Sequence, residues 1–392
     1  MVFGVAGVHL MDSYLGSRSS RRLLAAAGAG MGLANGALTG IETDAPPPLH
    51  GAPPEVDRVS VTVITDSYFH FFEASGTFAG VNVQRWQQPA TSEPPRRMPQ
   101  NEWGLSLHVE SVRGAETRRV LIDFGYTQET INNNVDMFGL DPSKLDALLL
   151  SHGHYDHFGG MVGFLAAHRH KLKPGLPFYM GGEECFCARE TGPPGAPRNF
   201  GVLDRRAIAD ANLRVLFADK PSLLVGHGFT TGWIPQTSFE RPAQPSRMKV
   251  GIGADGTGCD PARLPSEKRG GDSMLVDDFL HEQATCFNVK GKGLVVMTSC
   301  GHRGIVNTVQ AAIKASGISK VHAILGGFHL MPLSADYAYD TARELAKFKP
   351  DCLIPMHCSG ETFIEAAKQA LPGKVLRTST GTRFDFGKSG GS

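Results

Sequence analysis

Residues 152–157 read His-Gly-His-Tyr-Asp-His and follow directly on the apolar run Leu148-Leu149-Leu150. Side chains two apart on an extended backbone point to the same side, so His152 and His154 can share one cation. Asp156 and His157 fall in the turn that follows, where reversal of the chain aims their side chains at a neighbouring ion. Imidazole and carboxylate donors suit zinc, iron or manganese, and a cluster without cysteine argues against a closed structural zinc site. A buried strand that ends in four ligand-type side chains at H-x-H-x-D-H spacing has to end at a metal-binding edge.

The pattern around this run sets the fold class. A strand is expected at residues 59–65, a hairpin from GLSLHVES and RRVLIDFG, a helix at 127–138, then the buried strand, the ligand run and a helix opening at Gly159. From 293 onward strands and helices alternate: GLVVMTS, a helix at 305–316, KVHAILGG, a helix at 336–348, DCLIPMH, a helix at 362–371 and a last strand KVLRTS. A strand-rich first half and an alternating second half predict an α/β protein, an αββα sandwich of two facing mixed sheets flanked by helices. Loops at one shared edge of such sheets let side chains from different strands converge. The segments 69–100 and 173–270 read as loop-rich insertions, the first a mobile loop or lid, within a single domain spanning 57–388.

Composition narrows the function. The 39 basic and 38 acidic residues nearly cancel, which argues against a protein that grips nucleic acid or an anionic membrane by bulk charge. With 41 % apolar residues in 392, the chain can bury a large core. The seven cysteines are scattered without paired CxxC spacing, so a disulfide scaffold is not expected, and Cys185 and Cys187 read as ordinary buried thiols. Arg21-Arg22 precedes a weakly apolar Ala/Gly-rich run ending before Pro46. This stretch resembles a twin-arginine export signal, which would make the protein periplasmic; the alternative is a plain tail over residues 1–56 on a cytoplasmic protein. Its glycines and asparagines make it a poor permanent membrane span.

The H-x-H-x-D-H run resembles the signature of the metallo-β-lactamase superfamily. The motifs EWGLSLHVES, RRVLIDFG, LDALLLSHGHYDHFGGM, VDDFLHEQA, GLVVMTSCGHRGIVN, ILGGFHLM and IPMHCSG extend the likeness to the dihydropterin-ribofuranosylaminobenzene-phosphate synthase-like metallohydrolases. The resemblance implies two divalent ions, with zinc expected and iron or manganese as alternatives. It points to His302 and His357 as further ligands, each after a buried strand and before a helix. His152, His154 and His302 would hold one ion, and Asp156, His157 and His357 the other.

Departures from the family pattern raise specific questions. Many members carry a bridging aspartate after the strand matching GLVVMTS, whereas here the residues are Ser299-Cys300-Gly301-His302. Either Cys300 stands near that role or the second ion binds weakly. His227 is a rival for the third histidine. Phe124 replaces a small polar residue, His281 sits where the subgroup prefers an acid, and Asp123 can orient a metal-bound histidine. His329, after two glycines, is expected to contact substrate or act as an acid. The expected activity is hydrolysis of an ester, phosphoester or lactone-like small molecule, neutral or anionic, by metal-activated water with Asp156 steering it. The alternatives are a di-iron redox enzyme on the same fold and a non-catalytic metal-binding module.

Overall fold

The structure, a computed structural model, describes residues 41–193, 195–242, 246–270 and 273–387. The twin-arginine-like stretch lies outside these residues. Four layers are present. The first sheet has ten strands in the order Thr43–Asp44, Arg214–Phe217, Pro177–Met180, Ala147–Leu149, Glu116–Ile122, Ser106–Arg113, Arg58–Thr65, Arg383–Gly387, Val81–Gln84 and Gly76–Phe78. The second runs Ser222–Leu224, Gly228–Thr230, Thr285–Val289, Gly293–Thr298, Val321–Gly327 and Cys352–Met356, with Glu55–Val56 alongside Thr285–Val289.

Period-two patterning assigns each strand's two faces to different layers. Val59, Val61 and Val63 meet Val295, Met297, Leu325 and Ile354 between the sheets. Leu148 and Leu150 face outward, onto Ile131, Met161 and Phe164 of the helical layer. Leu294, Val296 and Ile324 pack outward on Val306, Val309, Leu345 and Phe363. Ala147–Leu149 and Gly293–Thr298, covered on both faces, are accordingly almost wholly apolar. Thr127 caps the helix Gln128–Met137 by accepting from Thr130 N, and left-handed Gly317 ends the helix Ile305–Ser316.

The outline of the fold follows the sequence reading, with four corrections. Residues 43–56 already belong to both sheets, so the expected tail ends before residue 57. The segment 69–100 is not simply a loop: it adds the hairpin Gly76–Phe78 and Val81–Gln84 to the sheet edge. KVLRTS makes only an isolated bridge, Val375 to Leu353, and the closing strand is Arg383–Gly387, paired with Arg58–Thr65. Finally, Cys187 and Cys259 form a disulfide, while Cys185 is a free buried thiol. No described helix is long and apolar enough to cross a membrane.

Candidate metal centre

The ligand run, His302, His329 and His357 all leave the C-terminal ends of strands, and the two sheets bring those ends to one rim. His152, His154 and His302 place one ring nitrogen each within 4.8 Å of one another, and Asp156, His157 and His357 do the same with a carboxylate oxygen and two nitrogens. The two triads adjoin: the rings of His152 and His157 are 4.3 Å apart. Both triads are buried.

Each histidine's second nitrogen shows how its ring is aimed. His157 Nδ1 donates to Asp123 Oδ2 at 2.8 Å. His152 Nδ1 meets Ser151 Oγ at 2.9 Å, and that hydroxyl donates to the same Asp123 oxygen at 2.7 Å. Asp123 thus orients one ring in each triad. Ser246 Oγ holds His154 Nε2 at 2.9 Å and Ser67 Oγ holds His357 Nδ1 at 3.1 Å. His302 is held by stacking on Phe279, ring centres 3.9 Å apart and nearly parallel.

What remains is a set of buried atoms with no hydrogen-bond partner among the described residues: His152 Nε2, His157 Nε2, His357 Nε2, both nitrogens of His302 and Asp156 Oδ1. Burying polar atoms without partners is costly, at about 1–3 kcal/mol each. Oriented imidazoles whose outer nitrogens are bonded and whose inner nitrogens are not form the donor set a divalent cation takes. The residues present fit a two-ion centre.

The electrostatics agree. Burial, with neighbouring imidazoles, pushes His152 and His302 far below the usual histidine range, and burial takes His154 down to about 3. All three are neutral, ligand-ready rings at neutral pH. Burial opposes ionisation of Asp156, but His157, His357 and His154 outweigh it and hold its carboxyl below the ordinary range. Burial likewise opposes a charged His357, yet Cys358 and Asp156 lift it to about 9. A pocket that stabilises an imidazolium in this way also favours a divalent cation in the proton's place.

The other expected residues fall as follows. His329 is partly exposed, its ring centre 4.0 Å from that of His302 and its Nδ1 3.7 Å from Cys300 Sγ. Cys300 lies between the triads. His227 is not at the rim: its Nδ1 meets Ser111 Oγ at 3.0 Å, beneath the hairpin Ser106–Ile122, and it joins no ligand cluster among the described residues. His281 is tied up by Glu184, Arg189 and Gly153 N. Phe124 packs into the outer core against Phe164 and Phe178.

The sequence reading missed several neighbours. Asp66 Oδ1 accepts from His357 N at 2.7 Å; its place just after a buried strand, like that of Asp123, was the available signal. Ser246 had none, because it reaches the rim from a long, irregular stretch, whereas Asp277 and Phe279 lie in the VDDFLHEQA motif, which carried the resemblance without assigning them a role. Trp103 covers His357, ring centres 4.9 Å apart, and is 46 % exposed. Asp123, Phe279, His329 and His357 all have positive φ, from +47° to +58°. This is backbone strain of the kind that clusters at functional sites.

Comparison with known proteins gives the same picture. The metallo-beta-lactamase superfamily profile matches residues 112–228. The chain is 24 % identical, over 82 % of its length and 98 % of the relative's, to 7,8-dihydropterin-6-methyl-4-(beta-D-ribofuranosyl)-aminobenzene-5'-phosphate synthase of Methanocaldococcus jannaschii. It is 25 % identical to an uncharacterized protein of the same organism, over 66 % of this chain and 84 % of that one. The crystal structure of a metal-dependent hydrolase of the beta-lactamase superfamily has a TM-score of 0.60 at 20 % identity, covering 84 % of this chain and 100 % of the other. The chain therefore has the metallo-beta-lactamase fold, and its residues 112–228 match the metallo-beta-lactamase superfamily model.

Proposed function

We propose that the protein is a binuclear metal-dependent hydrolase acting on an ester, phosphoester or lactone, with zinc the expected metal and iron or manganese the alternatives. The observation that carries this reading is the convergence of unpartnered, buried ligand atoms from two adjoining triads. His152, His154 and His302 would hold one ion, and Asp156, His157 and His357 the other. Ions bound there supply Lewis acidity and lower the pKa of water from 15.7 to about 7.

The chain's own residues do the rest. Asp123 fixes the tautomers of His157 and, through Ser151, His152. Asp156 has a free oxygen to steer the attacking water. His329 faces Cys300 through Nδ1, which leaves Nε2 to pass a proton to the leaving group. Phe279 and Trp103 wall the site and keep bulk water from the ligand rings. Transfer on the same centre is the second reading, supported by the likeness to a synthase whose named product carries a 5'-phosphate. The Cys187–Cys259 bond supports the exported, periplasmic alternative, because disulfides persist in oxidising compartments.

The test is metal analysis followed by an ester, phosphodiester and lactone screen. Two ions per chain and turnover in one class are expected. Asp156→Ala should lower turnover by about 10²–10³-fold or more and reduce metal content. Metal-free protein with full turnover would refute the proposal.

A further inference from the structure

Resting on the two-ion reading, the charge balance at the rim identifies a further ligand. Two divalent ions bring four positive charges into a buried site, against which the two triads set five neutral imidazoles and a single carboxylate. In a poorly solvated site such a surplus calls for another anion. Each of the other nearby carboxylates is engaged elsewhere through at least one oxygen. Asp123 serves Ser151 and His157. Asp66 accepts from the backbone N–H groups of Ser67 and His357 through Oδ1, and its Oδ2, without a hydrogen-bond partner, joins no ligand cluster among the described residues. Both oxygens of Glu282 are taken by His302 N and Arg303 N, and Asp277 pairs with Arg189 and Phe279 N. Among the described residues, none of these four puts an oxygen into a ligand cluster.

Cys300 Sγ does reach the clusters. It forms one set with His152 and His157, a member of each triad, in which all ligand atoms lie within 4.8 Å of one another. It forms further sets with His302 and His329 and with His357 and Cys358. A sulfur and a nitrogen on one tetrahedral zinc sit about 3.5 Å apart, given Zn–S near 2.3 Å and Zn–N near 2.0–2.1 Å, so small side-chain adjustments suffice. Cys358 Sγ, 3.2 Å from Cys300 Sγ, clusters only with Cys300 and His357 among the described residues.

We propose that Cys300 is a seventh ligand, its sulfur shared between the two ions where a carboxylate bridge would otherwise stand. On coordination the Cys300 S–H bond breaks and its proton passes to solvent, while the sulfur's electron pairs form the metal bonds. A shared thiolate selects zinc or iron over manganese.

X-ray absorption at the zinc edge tests this directly on two-zinc wild type, Cys300→Ser and Cys358→Ser, with metal counted in each. A sulfur shell near 2.3 Å is expected in wild type and Cys358→Ser. It should be absent from Cys300→Ser, which should bind its second ion at least about tenfold more weakly. A two-zinc wild type with only nitrogen and oxygen neighbours overturns the shared thiolate and leaves the two-ion reading standing, and so does a sulfur shell that survives in Cys300→Ser. A protein that takes up no stoichiometric zinc overturns both. If Cys300→Ser fails to fold, the other two spectra decide: sulfur lost in Cys358→Ser makes Cys358 the ligand and overturns the proposal.

Discussion

Two buried polar clusters lie back to back in this protein, and they differ in how completely they are satisfied. Around Arg189 every group has a partner. Its guanidinium bonds Asp277, Cys187 O, Glu184 O and His281. His281 reaches Glu184, and Glu184 reaches Lys268. Across the ligand run, among the described residues, His302 has no hydrogen-bond partner at either nitrogen, and His152, His157 and His357 each have none at Nε2, where His357 faces only Asp156 Oδ2 at 3.3 Å. Both clusters are buried and histidine-containing, so burial and residue type do not separate framework from reaction centre. Between these two clusters, unmet hydrogen-bonding capacity makes the difference.

That contrast breaks if the two clusters respond alike to mutation. The largest effect is expected at the rim: His302→Leu should lose turnover about 10²–10³-fold or more, yet leave chelator-treated protein as stable as wild type or more so, because an unpartnered imidazole is removed. Urea denaturation in chelator measures the second half. Arg189→Met should do the reverse, stranding Asp277 at a cost of about 3–5 kcal/mol in the same assay; equal costs for both variants would erase the distinction.

Glu240 falls between the two types. Its Oε2 accepts from Val306 N and Asn307 N, while Oε1 has no partner among the described residues. Burial raises its pKa to about 7, despite those backbone bonds. Between pH 4.5 and 7 the folded protein keeps this proton while the unfolded chain loses it, so stability should fall as pH rises, by up to about 3 kcal/mol. Glu240→Gln, neutral throughout, should flatten that slope in a denaturation series; an unchanged slope would assign it to other groups. The smallest effect sharpens the orienting role of Asp123. Asp123→Asn should weaken metal binding about 10–100-fold, read by competition with a chromophoric chelator, with little change in fold.

Local pattern explains what was legible in the sequence. The ligand run follows a strand and lies within six positions, so its spacing alone places His152, His154, Asp156 and His157 together. His302 and His357 needed the resemblance, since single histidines after strands have many uses. The cluster around Arg189 draws residues from 184 to 281 and shows no periodicity. The closing strand Arg383–Gly387 alternates buried and half-buried residues over only five positions; KVLRTS matches a strand equally well until pairing with Arg58–Thr65 decides between them. The disulfide joins residues 72 apart, a pairing that cysteine spacing does not indicate.

Gly153, the spacer between His152 and His154, joins the two clusters. A Cβ there would meet Arg189 Nη1 at 2.7 Å and Cys185 O at 2.9 Å. The motif's variable position is therefore closed to any side chain in this protein. Laboratory evolution toward a new substrate would have to work through the rim aromatics such as Trp103, because a change at the spacer displaces the guanidinium that secures the scaffold behind it.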